Sequence, residues 1–263
     1  MILAAAALLG LASIDSRLRD AASALEAGRV EQAQLMVAGA VSEGAKGELL
    51  EGLLADLAAA QGREPEALAR YQALLRTRLS DANLLERAAA TAWKQGARDL
   101  ALACAKRATA LPKATWRAWN IVAMSADEDR NWRAADEAYA RAMSIAPGRA
   151  ELLNNKGWSF LLRGEWEIAL KTLEQAFVLK PSLPVIRNNL EFARAGLAGD
   201  LPRRRAGESD VNWSARLNDA GVAAQMRDER KRALAAFTQA IEVRTVWFER
   251  AENNIEQLQS IQH

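Results

Sequence analysis

Residues 150–183 read Ala150-Glu-Leu-Leu-Asn154-Asn155-Lys-Gly157-Trp158-Ser-Phe160-Leu-Leu-Arg163-Gly164-Glu165-Trp166-Glu-Ile-Ala169-Leu-Lys-Thr-Leu173-Glu-Gln-Ala176-Phe-Val-Leu-Lys-Pro181-Ser-Leu183. Apolar residues recur at helical spacing on both sides of a break at Arg163-Gly164-Glu165. The stretch therefore predicts two amphipathic helices, A and B, joined by a tight turn. Pro181 stops helix B, because it has no N–H to continue the ladder.

The same design recurs upstream at a fixed step. Ala33, Ala67, Ala101, Ala135 and Ala169 are each 34 residues apart. Ala21, Ala55, Ala89, Ala123 and Gly157 form a second column, and Ala40, Leu74, Ala108, Ala142 and Ala176 a third. A period of this size predicts a helical solenoid. The frame gives units at 14–47, 48–81, 82–115, 116–149 and 150–183. Gly28, Gly62, Gly96 and Gly164 hold the turn column, with Arg130 as its exception. Tyr71, Tyr139, Leu173 and Phe237 hold a large-residue column, and Pro147 and Pro181 a proline column. Alanine suits such contacts, since it lets backbones approach and loses no side-chain entropy in a helix.

Small residues at positions 8, 20 and 27, a large one at 24 and proline at 32 resemble the tetratricopeptide repeat. The likeness covers residues 14–183 and resumes at 214–245. It implies an all-α fold, a right-handed superhelix of antiparallel helix pairs, and a groove that binds a protein or peptide.

After Leu183 the rhythm fails. Residues 184–198 make one more helix A, but Gly199-Asp-Leu-Pro202-Arg203-Arg204-Arg205-Ala-Gly207-Glu-Ser209-Asp210 follows where helix B is due. Ala233 stands 64 residues after Ala169, four short of two periods, so the loop replaces a helix. The expected organisation is an apolar segment at 1–13, a repeat array at 14–198, a basic linker loop at 199–212, and a C-terminal unit with a capping helix at 213–263. Trp213 and Trp247 bracket that last unit.

Charge and composition exclude several classes. The chain has 35 basic and 33 acidic residues, net +2, without the basic field of a nucleic-acid binder. Cys104 is the one cysteine, which excludes an internal disulfide, and His263 the one histidine. No phosphate-binding glycine loop or catalytic constellation is present, so no metal, no cofactor and no enzymatic activity is expected. Asp127, Glu128 and Asp129 close a helix beside Arg130 and read as a solvated turn.

Met1–Ile14 carries no charge. It is shorter than the roughly 20 apolar residues of a membrane span. It fits the core of an export signal or anchor, or a helix capping the first repeat. Membrane association is expected through residues 1–13, and the cell envelope is favoured over the cytoplasm. Nothing in the residues sets an oligomeric state.

In tetratricopeptide arrays helix A lines the concave face through frame positions 2, 5, 6, 9, 12 and 13. Position 5 holds Asn120, Asn154, Asn188 and Asn218. Amides offer both donors and an acceptor to the backbone of an extended peptide. The candidate groove is Asn120, Met124, Asn154, Asn155, Trp158, Asn188, Asn189, Phe192 and Asn218, with Trp158 and Phe192 as apolar anchors. The competing reading is that the amides only tie neighbouring A helices together. Arg203, Arg204 and Arg205 form a candidate anion patch, or a solvated charge run. The lysines and arginines of a two-carboxylate clamp are missing. Asn154-Asn155-x-Gly157, Arg187-Asn188-Asn189-Leu190 and Arg250-Ala-Glu-Asn-Asn254-Ile255 resemble the tetratricopeptide component of the bacterial tight-adherence (Flp) pilus system. That likeness implies a scaffold in cell-envelope assembly. The alternatives are a docking or regulatory subunit of a cytoplasmic enzyme complex, or a co-chaperone.

Overall fold

The computed structural model describes the backbone of residues 2–244 and 248–260, and side chains from Ile14 onward. Trp247, His263 and the side chains of 2–13 lie outside that description. Every regular element among the described residues is a helix. The chain divides into two compact units, Met1–Ile145 and Ala146–His263.

The first unit holds α1 (Ile2–Glu26), α2 (Val30–Ser42), α3 (Glu48–Ala60), α4 (Glu64–Leu74), α5 (Ala82–Lys94), α6 (Arg98–Thr109), α7 (Trp116–Glu128) and α8 (Trp132–Ile145). They pack as α1/α2, α3/α4, α5/α6 and α7/α8, and α2, α4 and α6 also meet the next A helix. Residues 2–13 continue the first helix A without a break. Among the described residues no helix is long and apolar enough to cross a membrane.

The second unit holds α9 (Ala150–Leu162), α10 (Trp166–Leu179), α11 (Pro184–Leu197), α12 (Asp210–Met226), α13 (Arg230–Glu242) and α14 (Glu249–Ser260). The pairs are α9/α10 and α12/α13. Helix α11 packs on α9, α10 and α12 with no B helix of its own, and α14 closes against α12 and α13. Helix α12 starts at Asp210, inside the stretch assigned to the linker, because the Ser209 hydroxyl accepts the Asn212 N–H and caps it there.

The alanine columns are the core. Ala33, Ala67, Ala101, Ala135, Ala169 and Ala233 are all 0% exposed. Position 24 packs on position 8 of its own repeat. A Cβ on Gly157 would stand 2.7 Å from Leu173 Cγ, and one on Gly221 2.4 Å from Phe237 Cε1.

The turns explain both the regularity and its failure. Position 15 is left-handed in every A-to-B turn: Gly28, Gly62, Gly96 and Gly164 at φ +72° to +81°, Arg130 at +54° and Asp228 at +59°. The following N–H then returns to the last helical turn, as in Arg63 N to Ala58 O at 2.8 Å and Glu229 N to Ala224 O at 2.8 Å. After α11 that position is Ala198, which stays extended at φ −66°, ψ 138°. The glycine arrives one residue late, at 199, and Pro202 follows. The chain does not reverse there, and no helix B follows α11.

Candidate functional site

In the second unit α9, α11, α12 and α14 lie side by side, each packed on the next. Asn154 is buried. Its Nδ2 donates to Asn155 Oδ1 at 3.1 Å, and its Oδ1 accepts from Asn189 Nδ2 at 2.9 Å. Asn218 is buried too, and accepts from Asn254 Nδ2 at 2.9 Å. The two bonds are the same device. In Asn188-Asn189-Leu190 and Asn253-Asn254-Ile255 the second asparagine reaches back to an asparagine of the helix before it. A buried amide left without a partner is costly, and a bond from the neighbouring helix resolves it. Asn188 is exposed, while Asn155 and Asn189 are half-buried. The face therefore splits the predicted row: buried Asn154 and Asn218 tie the stack with Asn189 and Asn254, Asn188 is exposed, and half-buried Asn155 and Asn189 keep an edge at the surface.

Beside these amides stands an aromatic cluster. The Trp158 and Phe192 rings lie 5.6 Å apart and tilted, and Trp166 stacks on Phe192 at 6.0 Å. Trp166 is buried, and Gly196 makes room for it: a Cβ there would fall 2.2 Å from its ring. The Arg227 guanidinium lies over the same ring. Trp158 and Phe192 are half-buried, so each keeps an exposed edge while fixing α9 to α11.

The loop between α11 and α12 is held from several sides. Arg216 Nη1 donates to both Glu208 carboxylate oxygens at 2.9 and 2.8 Å, and the Arg205 N–H donates to the same group at 2.9 Å. These donors, the Arg205 amide first, hold the Glu208 carboxyl below the usual glutamate range. Trp213 Nε1 donates to Pro202 O, and Arg204 lies over the Trp213 ring. Arg232 Nη2 donates to Ala195 O at 2.6 Å, satisfying a carbonyl in the last turn of α11, and to the loop carbonyl Asp200 O at 3.5 Å.

Of the predicted anion patch, Arg204 pairs with Asp210 at 2.6 Å and Arg205 with Glu191 at 3.2 Å. Two of its three guanidiniums thus bind the protein's own carboxylates. Helix α11, the loop and α12 enclose a cleft of about 860 Å³ that includes Asn188, Phe192, Arg205 and Arg216.

Asn120 and Met124 belong to the first unit, where Asn120 Nδ2 lies 3.1 Å from Met124 Sδ. That unit holds polar contacts that a reading of single columns misses. Tyr71 Oη donates to Asp56 Oδ1 at 2.6 Å, and Arg87 Nη1 donates to Asp56 Oδ2 at 2.5 Å. Burial pushes the Asp56 carboxyl up, with Tyr71 and Arg87 opposing, and burial beside Asp56 raises the Tyr71 hydroxyl. They border a cleft of about 390 Å³ with Leu25, Leu49 and Leu53. The signal was one aspartate in the otherwise apolar run Leu53-Leu-Ala-Asp56-Leu. Asp127 corrects another expectation. It is buried, not solvated, and accepts from Tyr139 Oη at 2.9 Å. Cys104 is buried, and burial raises its thiol. Among the described residues no three metal-ligating side chains gather.

No protein-family model matches the chain, and neither does any curated protein sequence. Solved structures do. A tetratricopeptide repeat protein from Parabacteroides merdae matches with TM-score 0.57 at 14% identity, over 94% of this chain and 99% of its own. PilW, a type IV pilus biogenesis factor, matches with TM-score 0.58 at 11% identity, over 92% and 98%. Cut9, in its hetero-tetramer with Hcn1, matches 86% of this chain with TM-score 0.55 at 15% identity, and the chain spans 39% of its length. The step of 34 residues, the left-handed turn column and these likenesses agree on one conclusion: the chain has the tetratricopeptide-repeat fold.

Proposed function

We propose that the chain is a non-enzymatic protein–protein interaction scaffold, binding an extended segment of a partner along the helix-A face of its second unit. One observation carries this reading: Asn155, Asn188 and Asn189 reach the same surface as the edges of the Trp158–Phe192 pair. Amides there can pair with an extended backbone while the aromatic edges take an apolar side chain. We place the scaffold in a bacterial cell-envelope assembly such as pilus biogenesis, with membrane association through residues 1–13. That placement is supported by the fold likeness to PilW and to PilF of Pseudomonas aeruginosa, TM-score 0.53 at 12% identity, and by the uncharged stretch Met1–Ile14.

The face is tested by Asn188→p-benzoylphenylalanine, a photo-crosslinking residue, with Thr238→p-benzoylphenylalanine on the exposed side of α13 as control. A partner captured in cells from position 188 and not from 238 supports the groove. Equal capture at both, or none at 188, overturns it. Fractionation of a C-terminally tagged chain tests the envelope placement. A product found only in the soluble cytoplasm with residues 1–13 intact removes it.

A further inference from the structure

The cleft between α11, the 199–209 loop and α12 exists because a helix B is missing, and its charges are almost entirely matched from within. Glu191 meets Arg205 at 3.2 Å, Glu208 meets Arg216 at 2.8 Å, and Arg194 meets Glu174 at 3.1 Å. Asp219 is bonded to Asn218, and burial raises its carboxyl, with Arg250 opposing. Arg187 is the cation left over. It lines the cleft, is exposed, and has no carboxylate partner among the described residues. An apolar strip of Phe192, Ala195, Ala198, Pro202 and Ala215 lines the same cleft.

We infer that this cleft takes a peptide segment bearing one carboxylate side chain, set against Arg187, next to an apolar side chain laid on the Phe192–Ala215 strip. The inference rests on the groove reading above and names its occupant. A guanidinium pairs with carboxylates through two parallel N–H bonds, so it selects that group over a neutral amide. One unmatched cation calls for one carboxylate, unlike a two-carboxylate clamp. A basic segment is repelled by Arg187 and finds Glu191 and Glu208 already engaged. The wall is set before binding, because Glu208, Trp213 and Arg232 hold the loop, and a preformed wall lowers the ordering cost of association.

A random peptide library displayed on phage is panned on the full chain, and the winning peptides are synthesised and titrated by fluorescence anisotropy. Winners that combine Asp or Glu with an aromatic or large aliphatic residue are expected. Arg187→Glu should weaken them about tenfold to a hundredfold, and panning on that variant should shift selection to Lys and Arg. Ala215→Glu, on the opposite wall, should weaken the same peptides without touching Arg187. Both positions are exposed, and unchanged thermal melts by circular dichroism show that the variants fold. Winners lacking acidic residues, or binding both variants as they bind wild type, overturn the inference. If such winners still crosslink at position 188, the groove reading stands without it. A library that yields no winner overturns both.

Discussion

The side-chain N–H of Asn189 meets the side-chain carbonyl of Asn154 across 2.9 Å, joining α11 to α9. One residue earlier, Asn188 has the same chemistry and faces solvent. Asn154→Ala leaves half-buried Asn189 short of its acceptor and should cost about 1–3 kcal/mol. Asn188→Ala should stay within about 0.5 kcal/mol of wild type. Urea unfolding, followed by tryptophan fluorescence, measures both. Equal effects would mean that Asn154 is not the tie between these helices.

Gly221 sits where Phe237 leaves no room for a methyl group. Alanine is the better helix former by about 1 kcal/mol, yet overpacking a core contact costs roughly 1–3 kcal/mol. Gly221→Ala should therefore lower the melting temperature, and Phe237→Leu should restore part of the loss when combined with it. A double variant no more stable than the sum of the single ones would contradict this contact.

Arg130 holds the turn column in a left-handed conformation at φ +54°, where the other first-unit turns use glycine. That conformation costs a side-chain-bearing residue roughly 1–2 kcal/mol. Part of the relief is offset because glycine gains more freedom in the unfolded chain. Arg130→Gly should still raise stability by about 0.5–1 kcal/mol, seen as a higher denaturant midpoint with an unchanged slope.

Glu208 has a folded pKa depressed by the Arg205 N–H and by Arg216. A depressed carboxylate stabilises the loop fully above its unfolded value of roughly 4.3, and that contribution fades as pH falls through the folded value. Emission from Trp213, which the loop holds through Pro202 O, should change as pH drops below that value. Glu208→Gln should remove this pH step and leave the loop looser at neutral pH.

The fold was legible because its signals are one-dimensional. Ala33 through Ala169 keep a fixed step, and each alanine is fully buried. The missing helix was legible too, and Ala198 stays extended where the other turns are left-handed. The site was legible only as a face. Asn154 and Asn188 share frame position 5, yet one is buried and the other exposed. Their fates differ because each depends on the helix lying on its far side, and α11 is followed by α12 across a loop rather than by a regular pair. Asp56 with Tyr71, and Asp127 with Tyr139, were hidden for a related reason. Their partners stand 15 and 12 residues apart across a turn, a separation that no single column displays.

The Arg232 contact has a consequence for the order in which the chain can be assembled. Helix α11 receives a donor for its Ala195 carbonyl from a residue 37 positions later, on α13. A chain leaving the ribosome presents α9 and α10 first, and they can pair at once. Helix α11 then waits with an unfinished C-terminal end until α13 emerges and folds back. A transcript truncated between Gly199 and Arg232 would therefore yield not a shorter array but one with a frayed last helix, exposing the Leu190 and Phe192 side that chaperones and proteases recognise.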